Sequence, residues 1–246
     1  MKFSVCLATL IIFFTTAAFT EEKFFDSDGV KIRYWDEGTG EPVLLIHGYT
    51  ANGNLNWRGP GIEQALAAKY RVIMPDVRGH GASDAPPEGQ HGIHVVEDMA
   101  RLLDYAGAKQ AHIVGYSMGG MISIKFATVY PDRVRSLLVG GMGWLQEGSD
   151  SVKKFATDTA DSPRLQASLR GFSEFGTTAE AMKALAMPVK VIIGTNDNLT
   201  RRVDLWKEIV PALDVTYIEG ATHQGCVFAP ELKQGILDFI TAHAGK

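Results

Sequence analysis

The stretch Ala111-His112-Ile113-Val114-Gly115-Tyr116-Ser117-Met118-Gly119 decides the reading of the whole chain. A short apolar run comes first, then a serine between two glycines, then a segment with helical spacing up to residue 130. Such an order describes a strand that turns abruptly into a helix. Gly115 and Gly119 let two backbones pass without a Cβ clash, and the turn holds the Ser117 hydroxyl away from the sheet. The helix that follows aims unpaired N–H groups and the positive end of its dipole at the same point. The five-residue pattern alone is common, so the strand before it and the helix after it carry the specificity.

Working outward, residues 43–46, 72–74, 112–114, 134–139, 189–193 and 215–218 are further short apolar runs. Runs of this kind are strands buried on both faces of a parallel sheet. Between them, residues 62–70, 94–106, 118–130, 202–210 and 230–243 show helical spacing. The alternation predicts an α/β fold: a mostly parallel central sheet with helices on both faces. Ahead of it, residues 23–26 and 30–36 flank the turn Asp28-Gly29 and predict an antiparallel N-terminal hairpin at a sheet edge. Residues 144–186 break the rhythm with three short helical segments and no strand. They read as a small helical lid inserted over the carboxyl end of the sheet; the alternative is two ordinary crossover helices with long loops.

In an open α/β sheet the chemistry lies just beyond the carboxyl ends of the strands. A serine hydroxyl is a poor nucleophile until a base takes its proton. His223 stands after the last strand, in Gly220-Ala221-Thr222-His223-Gln224, and Asp197 stands after the strand before it, in Gly194-Thr195-Asn196-Asp197. Ser117, Asp197 and His223 therefore make a nucleophile, an orienting acid and a base in the chain order that this fold uses. Glu147 and Asp150 are alternative acids, placed beyond the strand that ends near Gly141. Hydrolysis also needs donors for a developing oxyanion. The backbone N–H groups of Met118 and Tyr49 are the expected pair, Tyr49 following the turn at His47-Gly48. His47 is a possible second base, but its place before the turn suits a structural hydrogen-bonding role better. Trp144, Phe172 and Phe175 are expected to line the substrate side of the lid, against the alternative of ordinary packing within it.

These motifs resemble those of the α/β-hydrolase superfamily over nearly the whole chain after residue 20. Pro42-Val43-Leu44-Leu45-Ile46-His47-Gly48 is similar to its oxyanion loop, and residues 75–84 are similar to the loop after its next strand. Within the superfamily the chain looks most like the branch of small esterases, cofactor-free haloperoxidase-like enzymes and carbon–carbon bond hydrolases. The resemblance implies a serine hydrolase of carboxylic esters working through an acyl-enzyme, with the C–C hydrolase or perhydrolase chemistry of the same fold as alternatives. Ser117 argues against haloalkane dehalogenase and epoxide hydrolase chemistry, which uses an aspartate nucleophile. The resemblance also implies that Arg78, His80 and Asp84 are architectural. Many relatives carry a larger insertion where this chain has residues 144–186. A rival from another class is a ligand sensor on a hydrolase scaffold.

Composition sets the outer bounds. The chain of 246 residues fits one domain. A net charge of −4 and no run of like charge suggest neither a nucleic-acid nor an anionic-membrane binder, and the resemblance implies a small-molecule acyl substrate. There is no Cys/His ligand cluster and no dinucleotide-binding glycine loop, so no metal or cofactor is expected. Residues 1–20 have Lys2, then an apolar run, then small weakly polar residues, and read as a cleavable signal peptide. That reading makes residues 21–246 a single domain in a secreted or periplasmic protein with no stable membrane span after cleavage. An uncleaved anchor helix is the alternative, although the run is short for one. Removing the leader also removes Cys6, leaving Cys226 without a partner for an internal disulfide.

Overall fold

The computed structural model describes residues 22–160 and 162–245. The expected signal peptide lies outside the described residues.

The chain opens with β1 (Lys23–Ser27) and β2 (Val30–Glu37), an antiparallel hairpin. Its turn is closed by Asp28 and Gly29, both at positive φ (57° and 80°), with the Gly29 N–H donated to the Asp26 carboxylate at 2.9 Å. The next elements are β3 (Pro42–Ile46), α1 (Ile62–Ala67), β4 (Arg71–Pro75) and α2 (Ile93–Tyr105). Then come β5 (Ala111–Tyr116), α3 (Met118–Val129) and β6 (Val134–Gly140). The β6–β7 connection holds α4 (Asp150–Phe155), α5 (Pro163–Gly171), a 3-10 turn (Phe172–Phe175) and α6 (Ala179–Lys183). The chain closes with β7 (Val189–Gly194), α7 (Thr200–Ile209), β8 (Asp214–Ile218), α8 (His223–Cys226) and α9 (Pro230–His243).

The eight strands form one sheet in the order β1-β2-β4-β3-β5-β6-β7-β8. Pairings are parallel from β4 onward, and antiparallel only at β1–β2 and β2–β4. The chain runs from β3 to β4 on one side and returns to place β5 on the other. The crevice at β3 and β5 is thus a topological switch point, where open α/β sheets bind ligands.

Alternation along the buried strands feeds two cores. Leu44, Ile46, Ile113, Leu137, Val139, Val191 and Ile193 face α2, α3 and α7. Val43, Leu45, Val72, Met74, Val114, Leu138 and Ile192 face α1 and α9. A strand with period two and both neighbours covered buries every residue, which is why these runs carry no polar alternation. The apolar side chains of the β6–β7 connection, Val152, Phe172, Phe175 and Met182, join the α3 side of this core. Their helices start at Ser149, Ser162 and Thr178, whose side-chain oxygens accept the N–H groups of Val152, Leu165 and Ala181.

Candidate active site

Four of the loops at the carboxyl edge converge. Ser117 follows β5 directly, with φ 55° and ψ −113°, a conformation that costs a non-glycine residue about 1–3 kcal/mol. Its N–H donates to the Gly140 carbonyl on β6 at 2.9 Å, which holds the turn in place. The close passage needs glycine. A Cβ on Gly119 would collide with the carbonyl oxygen of Ile46, and one on Gly115 with that of Gly119.

His223 begins the one-turn helix α8, rather than sitting in an open loop as its sequence context suggests. The Thr222 hydroxyl caps that helix by accepting the Gly225 N–H at 3.1 Å. His223 Nε2 lies 2.9 Å from Ser117 Oγ, and Nδ1 lies 2.8 Å from Asp197 Oδ2. The carboxylate accepts, so Nδ1 carries the proton and Nε2 is left to accept from the serine hydroxyl. The second Asp197 oxygen accepts the Leu199 N–H at 2.9 Å. The Asp197 side chain is fully buried while that of His223 is 23% exposed, so the carboxylate is shielded and the imidazole reachable. Glu147 and Asp150, the alternative acids, are exposed, and Asp150 pairs with Lys153 at 3.5 Å.

A cavity of about 210 Å³ opens beside Ser117 and His223. Its wall includes Gly48 and Tyr49 from the turn after β3, Leu55 and Asn56 from the helical turn Asn54–Arg58, and Val227 and Phe228 from behind α8. Met118, the first residue of α3, stands directly after the serine, and first-turn N–H groups have no acceptor within their own helix. His47 is fully buried; its Nδ1 donates to the Gly48 carbonyl at 2.8 Å and its Nε2 accepts the Val77 N–H at 2.9 Å. Burial pushes its pKa down. With both nitrogens committed to the backbone, His47 shapes the turn. Asp76 works alongside it, accepting from Gly53 N–H, Ala82 N–H and the Arg33 guanidinium. Arg78 is paired with buried Asp98.

Trp144, Phe172 and Phe175 are buried inside the β6–β7 connection, and the cavity wall at Ser117 does not include them. The Trp144 indole N–H donates to the Thr177 carbonyl at 3.0 Å. Phe172 reaches the site at one remove, its ring edge-on to Tyr49 at 5.3 Å. Sequence reasoning passed over Asn56, whose Oδ1 accepts the Gly48 N–H at 2.7 Å. It also passed over Tyr116, whose hydroxyl donates to the His223 carbonyl at 2.5 Å and pins α8 to β5. Tyr116 lies in the stretch Ala111–Gly119, and its polar tip on a buried strand is the available signal. Asn56 had none, since its turn has no periodicity.

A profile of the alpha/beta hydrolase fold matches residues 41–184. The chain belongs to the α/β-hydrolase family. It is 34% identical over 144 residues to the 2-hydroxymuconate semialdehyde hydrolase of Pseudomonas sp. strain CF600, covering 56% of this chain and 50% of that one. It is 32% identical over 186 residues to the dihydrolipoyllysine-residue acetyltransferase component of the acetoin cleaving system of Cupriavidus necator, covering 72% of this chain and 48% of that one. The matches thus span about half the length of these curated relatives. Among solved structures, the thermophilic esterase of Thermogutta terrifontis superposes with a TM-score of 0.77 over 91% of this chain and all of that one, at 22% identity. Among the described residues no cluster of three or more His, Cys, Asp or Glu is placed to hold a metal ion, and no helix is long and apolar enough to cross a membrane.

Proposed function

We propose that this α/β-hydrolase is a serine hydrolase of small carboxylic esters, with Ser117 as nucleophile, His223 as general base and acid, and Asp197 as the orienting carboxylate. The unbroken chain of hydrogen bonds from Ser117 Oγ through the His223 imidazole to Asp197 carries this reading. His223 Nε2 takes the serine proton as Oγ attacks the ester carbonyl carbon. The imidazolium is stabilised by Asp197 and returns the proton to the leaving alcohol. An acyl-serine remains, and a water deprotonated by the same nitrogen releases the acid.

The backbone N–H groups of Tyr49 and Met118 are proposed to hold the oxyanion of both tetrahedral intermediates. The β6–β7 connection is proposed as the lid, since α5 reaches over to Tyr49 through a hydrogen bond from its hydroxyl to the Leu165 carbonyl. Residues 1–20 are proposed as a leader that directs the chain to the periplasm or outside the cell. N-terminal sequencing of protein recovered from the exporting host tests that point.

The test of the reaction is turnover of p-nitrophenyl acetate by Ser117→Ala beside the unsubstituted chain. The proposal expects kcat to fall by about 10⁴-fold or more with folding intact. Unchanged hydrolysis would remove Ser117 from the mechanism.

A further inference from the structure

We infer that the substrate is uncharged, carries a small apolar group held between Leu55 and Phe228, and that the site rejects molecules bearing a carboxylate. This deepens the serine-hydrolase reading and rests on it.

Two cavities share His223. The one beside Ser117, of about 210 Å³, has no Lys, Arg, Asp or Glu in its wall. The second, about 340 Å³, is lined by Asn196, Asn198, Leu199, Thr222 and Gln224 with His223, again without a charged side chain. The formal charge that does belong to the site is negative, that of buried Asp197 behind the imidazole. Two other titratable groups at this end are neutral under ordinary conditions, because burial pushes both the Tyr116 hydroxyl and the Cys226 thiol up.

Neighbouring cations line neither wall, and the one with a buried nitrogen lacking a hydrogen-bond partner on α7, Arg202 at Nη1, is among them. Arg164 on α5 donates to the carbonyls of Gly79 and Ser83, Arg58 pairs with Glu63, and Arg202 lies over the Phe155 ring at 5.8 Å. A carboxylate entering either cavity would lose water, gain no counter-charge and lie near the negative charge of Asp197 behind the imidazole. A neutral ester suffers none of this, and the negative charge that reaction creates, the oxyanion, forms at the N-terminus of α3.

The size and the rim describe the rest of the molecule. A cavity of about 150 Å³ lined by apolar side chains takes a benzene ring, so 210 Å³ suits one ring or a short chain. Leu55 and Phe228 both belong to the wall of this cavity, yet they remain 59% and 65% exposed. They come from two different segments, one after β3 and one after α8. Large apolar side chains left open at the mouth of a reactive site gain a partner when an apolar group is bound.

Two matched pairs of esters test this, one with the carboxylate in the alcohol and one with it in the acyl chain. They are methyl 4-acetoxybenzoate against 4-acetoxybenzoate, and p-nitrophenyl hexanoate against mono-p-nitrophenyl adipate. The expected result is a preference in kcat/KM for the neutral member of about 100-fold or more in at least one pair. Leu55→Arg, at an exposed position, should then raise kcat/KM for the disfavoured anion by about tenfold or more. Ratios below about 100 in both pairs overturn the inference, as does an anion preference. Labelling by a fluorophosphonate separates the two levels. If Ser117 is labelled and both ratios are small, the substrate class is wrong and the reaction stands. If Ser117 is not labelled and no ester turns over, both fall.

Discussion

Tyr49 donates its phenolic hydrogen to the carbonyl oxygen of Leu165 across 3.1 Å, joining the turn after β3 to helix α5 of the β6–β7 connection. The same ring meets Phe172 edge-on at 5.3 Å and His80 at 5.8 Å. The residue whose N–H is proposed to face the oxyanion is therefore held by its side chain from the β6–β7 connection. Tyr49→Phe keeps the ring contacts and deletes one neutral hydrogen bond, worth about 1 kcal/mol. Amide hydrogen exchange in residues 163–175 should quicken about fivefold, while kcat on a small ester changes by less than about threefold. Unchanged exchange there would show that Tyr49 does not hold the β6–β7 connection.

Asp197→Asn separates position from charge. The new side chain retains an oxygen for the Leu199 N–H but turns an NH₂ group toward His223 Nδ1. That nitrogen must then accept, so the proton moves to Nε2, where it faces the Ser117 hydroxyl as a competing donor. A loss in kcat of about 10³- to 10⁴-fold with little change in KM is expected. Activity within about tenfold of the unsubstituted chain would assign the acid's role to another group.

Gly119→Ala tests the packing that places the serine. The added Cβ would collide with the Ile46 carbonyl and lie 2.8 Å from that of His47, both backbone atoms that cannot rotate away. Overpacking of this kind should destabilise by about 3 kcal/mol, lowering Tm by roughly 6–12 °C. A thermal melt that does not shift would mean the β3 and α3 backbones are not in contact as described.

Acid should weaken the fold through its buried imidazoles. His80 is buried against His47, and burial first, then the neighbouring His47, lowers its pKa from 6.5 to about 3. Its neutral form is the one that folds. The stabilisation is complete above the unfolded pKa near 6.5 and is lost as pH falls from there toward 3, because the unfolded chain binds the proton and the native state does not. One such group contributes a slope of up to about 1.4 kcal/mol per pH unit. His47 and His112, also lowered by burial, act in the same direction. Urea unfolding at pH 7, 6 and 5 should show decreasing stability, with a shallower slope in His80→Gln. An identical slope in that variant would acquit His80.

The sheet was readable because Val, Ile and Leu runs such as 43–46 and 189–193 have no other home than strands covered on both faces. Ser117, Asp197 and His223 stood out because each lies in the loop or turn just beyond such a run, and strand ends converge in this topology. The helical turn Asn54–Arg58 and the four-residue helix α8 escaped notice, being too short to display a period. Trp144, Phe172 and Phe175 were visible as aromatics, but composition does not say which way a side chain turns. Here they turn into the α3 side of the core, and the cavity wall is drawn instead from Leu55, Val227 and Phe228.

The central claim is that Ser117 is an activated nucleophile. The most direct measurement is mass spectrometry of the protein after treatment with a small fluorophosphonate, with the adduct located by peptide sequencing. One adduct per chain on Ser117, slowed at least 100-fold in His223→Ala, is the expected result, the drop being the loss of the base that activates the hydroxyl. No adduct on folded protein, or an adduct elsewhere with Ser117 untouched, would contradict it.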